Sequence, residues 1–219
     1  MRTGRLLGSG RTADVYAVDE EWVLRRYRDG FGDATAEAAV MAHVRGHGYP
    51  VPEVRSATRS DLVLQRLSGP TMLGAFMAGT LAPREGGETL ARLLRALHAV
   101  PARRSADPGT RVLHLDLHPD NVLMAPDGPR VIDWANAEEA SPGLDWGMSA
   151  VILAQAAVGD EPYAAAAAET LAGLLADPSD LTEQGLTEAV TRRAANPTMS
   201  QQEVRLLGSA EKLIRSLVP

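Results

Sequence analysis

The 219-residue chain contains no cysteine, which excludes disulfides, thiolate metal centres and a cysteine nucleophile. Lysine is almost as scarce. Of 22 basic residues, 21 are arginine and one is Lys212, so nearly every cationic side chain is a guanidinium, planar and forked where an ammonium is a point charge. No apolar run approaches the roughly 18 residues of a membrane span, and Met1-Arg2-Thr3-Gly4-Arg5 leads into a strand-like segment with no long apolar core. A cytoplasmic protein is the expectation. There is no internal repeat, and the Ala164 to Ala168 run reads as Ala-rich helix, not as a low-complexity linker. The net charge of −6 argues against nucleic acid or an anionic membrane as partner, while 45% hydrophobic content is enough to bury a sizeable core.

What is present concentrates between residues 114 and 134. His114-Leu115-Asp116-Leu117-His118-Pro119-Asp120-Asn121 is followed by Val122-Leu123-Met124 and then by Val131-Ile132-Asp133-Trp134. Two carboxylates and an amide, Asp116, Asn121 and Asp133, thus lie on a Pro-containing loop and a returning strand, from which three oxygen-bearing groups can converge. Phosphoryl transfer of the kinase type needs such a set. The protein has little covalent work to do there, and must position the acceptor hydroxyl and neutralise phosphate charge with magnesium. Asp116 is placed to accept the hydroxyl proton, an effect worth roughly 10²- to 10⁴-fold. Asn121 and Asp133 are the candidates to hold magnesium, which favours oxygen ligands and takes only one or two protein carboxylates.

His114-x-Asp116-x-x-x-x-Asn121 together with Ile132-Asp133-Trp134 resembles the catalytic loop and metal-binding Asp of the aminoglycoside phosphotransferase family, small-molecule relatives of the protein kinases. Two departures set the chain apart from protein kinases: Leu115 stands where they carry Arg, and Asp133-Trp134-Ala135 replaces Asp-Phe-Gly. The resemblance implies an α+β, two-lobed, protein-kinase-like fold, with a small antiparallel N-lobe sheet plus one helix and a mainly helical C-lobe.

The resemblance extends upstream. Leu7-Gly8-Ser9-Gly10-Arg11-Thr12-Ala13-Asp14-Val15-Tyr16-Ala17-Val18 is similar to the kinase Gly-rich loop, with Ala13 in place of the third glycine. Its setting, a turn at Asp19-Glu20 and a second strand Glu21 to Tyr27, reads as a hairpin covering a nucleotide. Gly8 and Gly10 would let the backbone approach phosphate oxygens. In Val23-Leu24-Arg25 the resemblance places Arg25 where the family carries its phosphate-binding lysine, and period-two alternation favours Arg25 over Arg26. It also implies a partner for Arg25 in Glu37, on the Ala-rich helix Ala34 to Val44.

The chain divides near Arg66 to Gly69, giving an N-lobe over 1–67 and a helical C-lobe over 68–219. Further strands are expected at Glu53 to Ala57 and Asp61 to Gln65, ending in a hinge, Leu64 to Leu67, where Gln65 and Leu67 could read the adenine edge. Leu90, Leu93, Leu94 and Leu97 recur at helical spacing, and further helices are read at Leu144 to Val158 and at about 161–176, 180–194 and 200–217, with Asp180 and Ser200 as N-caps. Asp145 resembles the family's structural Asp, bracing the catalytic loop. From Trp134 to Pro219 there are 12 acidic and 5 basic residues, which would draw a polycationic acceptor or simply form solvated helix faces.

Two rival readings remain open at this point. His114, Asp116 and His118 alternate, and on a strand they would share one face suited to a metal-dependent hydrolase. Arg25 for lysine and Ala13 for glycine could describe a nucleotide-binding pseudokinase with a regulatory role. The leading expectation is a kinase using ATP, with GTP as the alternative nucleotide, and Mg2+ to phosphorylate a hydroxyl of an aminoglycoside-like or other small molecule. Asp116 would be the base, Asn121 and Asp133 the metal-holding pair, and Gly8, Gly10, Arg25, Glu37, Gln65 and Leu67 the nucleotide site.

Overall fold

The computed structural model describes residues 4–10, 12–28 and 32–218; Arg11 of the Gly-rich run and the first three residues lie outside that set. The chain resolves into two compact units, one formed by the residues up to Gly69 together with Leu123–Ala137, the other by Pro70–Val122 and the residues from Glu138 onward.

The first unit is built on an antiparallel sheet of β1 (Leu6–Ser9), β2 (Ala13–Ala17), β3 (Trp22–Tyr27), β4 (Val54–Ala57) and β5 (Asp61–Gln65), in the order β1-β2-β3-β5-β4. The central strand β3 pairs Arg25 with Val15 on one side and with Leu62 on the other. Leu24, Leu62 and Val63 are buried and supply the apolar core of the sheet. Helix α1 (Ala34–Gly46) begins at Asp33, whose side chain accepts from Thr35 N and Ala36 N, a cap worth about 1 kcal/mol. Its buried residues Ala34, Glu37, Met41 and Val44 recur at spacings of three and four, so a carboxylate sits on the apolar face of the helix. A hairpin of β7 (Val122–Ala125) and β8 (Gly128–Val131) completes this unit.

The second unit is helical: α2 (Met72–Met77), α3 (Pro83–His98), α4 (Pro142–Ala157), α5 (Ala164–Leu174), α6 (Glu183–Ala194) and α7 (Gln201–Leu217), with a small ladder of β6 (Arg111–Leu113) and β9 (Glu138–Ala140). Helix α4 is buried over most of its length, so it shows almost no amphipathic pattern. The helices approach one another closely through glycine. A Cβ on Gly185 would lie 2.1 Å from Gly143 O, and one on Gly173 would lie 2.1 Å from Arg84 O. Ser200 caps α7 in a reciprocal capping box with Glu203. The cap expected at Asp180 is not formed: α6 starts at Glu183 with Thr182 accepting from Gly185 N, while Asp180 accepts from Arg95 Nε at 2.7 Å. Among the described residues no helix is long and apolar enough to cross a membrane.

Candidate active site

In the first unit the candidate residues gather around Arg25. The guanidinium is buried and forked: Nη1 donates to Glu37 Oε2 at 2.6 Å and to Tyr27 Oη at 2.8 Å, and Nη2 donates to Asp133 Oδ1 at 2.6 Å. Glu37 reaches this point because α1 turns its buried face to the sheet, and its other oxygen, Oε1, accepts from the Trp134 amide at 3.1 Å. Asp133 follows β8 with φ of 63°, a left-handed conformation that side-chain-bearing residues rarely adopt and that is stored where surrounding structure enforces it. The anchor is its neighbour. Trp134 is 1% exposed, donates its indole N–H to Val131 O at 3.2 Å and meets the Tyr49 ring edge-on at 5.7 Å. Burial works against charge on Arg25, but Glu37 and Asp133 outweigh it and hold the guanidinium above its ordinary pKa. Burial likewise lifts the Glu37 carboxyl from its usual range, with Arg25 and Tyr27 pulling the other way.

Gly8 lies in β1, opposite Val15 of β2, and Gly10 at the turn that follows, where its N–H donates to Ala13 O at 2.9 Å. A Cβ on Gly8 would meet nothing within 4 Å, so internal packing does not require glycine there. The turn is braced from outside by Ser9, which donates to Asp14 at 2.6 Å, and by Arg28, which donates to both. Arg26 turns away from Arg25 and pairs with Asp61 in a two-pronged contact. At the expected hinge the Gln65 N–H donates to Glu53 O and the Arg66 N–H to Glu21 O. Neither amide is therefore open to a ligand.

In the second unit the loop after β6 carries Asp116 and Asn121. Leu115 has φ of 63° and is buried, which reverses the chain and presents the half-buried Asp116. The turn is enforced by Asp145 from α4, whose Oδ2 accepts from His114 N at 2.9 Å and whose Oδ1 accepts from Leu115 N at 2.7 Å. His98, at the end of α3, meets Asp145 Oδ2 at 3.0 Å. Burial pushes the Asp145 carboxyl upward, yet His98 and the His114 amide outweigh it and hold the carboxyl below its ordinary range. Asn121 closes the loop: its Nδ2 donates to Asp116 O at 2.8 Å and lies 3.4 Å from Asp116 Oδ2, so the amide nitrogen faces Asp116 and Oδ1 is the acceptor end of the side chain. Burial lowers the His118 pKa against the pull of Asp116 and Asp120.

The metal-hydrolase reading is corrected here. β6 stops at Leu113 and the left-handed Leu115 breaks the alternation, so His114, Asp116 and His118 do not share a strand face. Among the described residues no group of three or more His, Asp or Glu able to hold a metal occurs. Sequence reasoning had no place for Tyr27 or for His98 as a partner of Asp145. Tyr27 was within reach of the alternation that selects Arg25, since it lies two residues on along the same strand; the His98 contact spans 47 residues and leaves no local pattern.

A small antiparallel sheet with one buried acid-bearing helix, a helical unit and two left-handed acidic loops define an α+β protein of the kinase-like class. The phosphotransferase enzyme family matches residues 3–111 and 102–183, and the chain belongs to that family. That family is one of phosphotransferase enzymes. A search of curated proteins found no significant match. Solved structures with the same fold include a thermostable mutant of aminoglycoside phosphotransferase APH(4)-Ia, at 14% identity and a TM-score of 0.64, covering 97% of this chain and 94% of that one. Choline kinase LicA from Streptococcus pneumoniae matches at 11% identity and 0.56, covering 99% and 94%. An ethanolamine kinase from Plasmodium vivax matches at 9% identity and 0.56, covering 97% and 74%.

Proposed function

We propose that the protein transfers the γ-phosphoryl group of ATP, with GTP as the alternative donor, to a hydroxyl of an aminoglycoside-like or other small-molecule acceptor, with magnesium as the metal. The observation that carries this reading is the Asp116 loop. A buried carboxylate pins its backbone, an amide closes it, and a half-exposed carboxylate is left at its apex, as a base that must meet an acceptor hydroxyl requires. Asn121 Oδ1 and the 40%-exposed Asp133 carboxylate fit magnesium by donor type, since that ion favours oxygen and leaves most of its shell to phosphates and water. When bound, the metal would supply charge neutralisation at the phosphates. Arg25, Gly8 and Gly10 would contact phosphates, and Gln65 and Leu67 the base.

Use of ATP draws support from a related structure, a thermostable APH(4)-Ia mutant in ternary complex with AMP-PNP and hygromycin B, which has a TM-score of 0.57 to this chain. The acceptor is left at the level of a small hydroxylated molecule. The acidic excess after Trp134 does not by itself specify a polycation, because Glu138 and Glu188 pair with Arg192, Glu183 and Glu211 with Arg215, and Asp177 and Asp180 with Arg95. The test is Asp116→Asn, assayed by ADP release against a panel of hydroxylated acceptors and by calorimetric ATP binding. Turnover should disappear while ATP affinity stays within about twofold. Equal loss of ATP binding would make Asp116 a structural residue, and a wild type that binds no nucleotide would remove the reading altogether.

A further inference from the structure

The arginine in the lysine position is not simply tolerated, because its surroundings are built to its shape. Nη1 sits in a closed triangle with Tyr27 Oη and Glu37 Oε2, in which Tyr27 itself donates to Glu37 at 2.6 Å. Glu37 Oε1 is engaged by the Trp134 amide, so Oε2 is the atom the two donors share. The Arg25 guanidinium carbon also lies 4.7 Å from the centre of the Tyr27 ring. Exposure divides the fork: the Glu37 side chain is 2% exposed and Arg25 9%, whereas Asp133, on the other arm, is 40% exposed. Nη1 is thus the interior arm and Nη2 the outward one.

Tyr27 is itself held in place. Its amide donates to Ser60 O at 2.8 Å, and the loop at Gly32 passes so close to its ring that a Cβ there would lie 2.2 Å from it. Gly32 has φ of +63°, so glycine is required on both counts. Burial, and then the charge of Glu37, push the phenol pKa up, which keeps the hydroxyl protonated and donating.

We infer that Tyr27 is a positioning residue: it locks the Arg25 guanidinium through Nη1 so that Nη2, one N–H of which donates to Asp133, holds its second N–H toward the nucleotide phosphates, making this phosphate site specific for arginine over lysine. The inference rests on the proposed nucleotide site. A lysine carries one nitrogen on a flexible stem, and cannot fill the Tyr27–Glu37 corner and present a second donor on a fixed plane. Tyr27→Phe keeps the ring and removes the locking hydroxyl.

The experiment compares ATP and adenosine affinity by calorimetry for wild type, Tyr27→Phe, Arg25→Lys and the double variant, each checked for folding by thermal melt. Tyr27→Phe should weaken ATP by about fivefold and leave adenosine within about twofold, because a lost hydrogen bond to a positioned charge acts only through the phosphates. Arg25→Lys should weaken ATP by about tenfold or more, and Tyr27→Phe should add nothing to it in the double variant. Equal weakening of ATP and adenosine would reduce Tyr27 to a structural residue and overturn the inference. So would wild-type ATP affinity in Arg25→Lys, or effects of the two substitutions that multiply. A wild type that binds neither ligand fails one level lower, at the nucleotide site itself.

Discussion

At the scale of single residues, Asp145 is where structure and mechanism are most tightly joined. It is fully buried and satisfies two consecutive amides of the Asp116 loop, so removing it orphans buried donors as well as releasing the turn. Asp145→Ala should cost about 3 kcal/mol or more, read as a drop in the chemical-denaturation midpoint. The pH dependence follows from its depressed carboxyl. A carboxyl lowered on folding contributes stability that is complete above the unfolded pKa of about 3.9 and is lost as pH falls through the lower, folded value. Below about pH 4 the wild type should therefore lose stability more steeply than Asp145→Asn, whose side chain does not titrate, in denaturation series across pH. Gly8 offers the opposite case. Its missing Cβ is not demanded by any protein atom within 4 Å, so Gly8→Ala should leave the melting temperature nearly unchanged while weakening ATP binding. A large loss of stability there would mean that glycine serves the hairpin and not a ligand.

At the scale of elements, what could be read in advance followed the strength of local patterning. The Leu90, Leu93, Leu94, Leu97 stripe belongs to α3, and the strand at Asp61 to Gln65 forms with those bounds, because each carries its own periodicity or turn chemistry. The short helix Met72–Met77 and the β6–β9 ladder were not legible: six residues and three residues are too few to show a period, and the ladder joins segments more than twenty residues apart. The cap at Asp180 misled for a different reason. A carboxylate before an apolar run is a valid capping signal, but Arg95 from another helix claims it, and Thr182 two residues on takes the role. Glycine contacts between helices were equally silent. Gly173 on α5 has Arg84 O at 2.1 Å and Glu88 N at 3.2 Å from its would-be Cβ, all backbone. Gly173→Ala should therefore destabilise by about 1–3 kcal/mol despite the higher helix propensity of alanine, measured by equilibrium unfolding. A gain in stability would mean that α3 and α5 separate at little cost.

For the whole molecule, the candidate residues Asp116, Asn121 and Asp133 stand in short motifs that the sequence makes visible, whereas the residues that hold them are scattered along the chain. Asp145 is 29 residues from Asp116 and Glu37 is 96 from Asp133, and the long-range bonds made by these supports bend the backbone at Leu115 and fix Asp133 against Arg25. Arg25 and Asp133 thus form an ion pair, and this sets the sign of a final prediction. Removing the carboxylate leaves a nearly buried guanidinium with Glu37 as its remaining charged partner, so Asp133→Ala should lower the melting temperature of the free protein. In wild type, ATP with magnesium at a hundred times its dissociation constant should add about 2.7 kcal/mol by linkage, or roughly 5–10 °C for a chain of this size. Magnesium should be required for most of that rise, and Asp133→Ala should lose the magnesium-dependent part while keeping some response to ATP alone, since Arg25, Gly8 and Gly10 are intact. A full magnesium-dependent shift in Asp133→Ala would show that the metal is held elsewhere, and that the Arg25 pair is the main reason for an acid at this position.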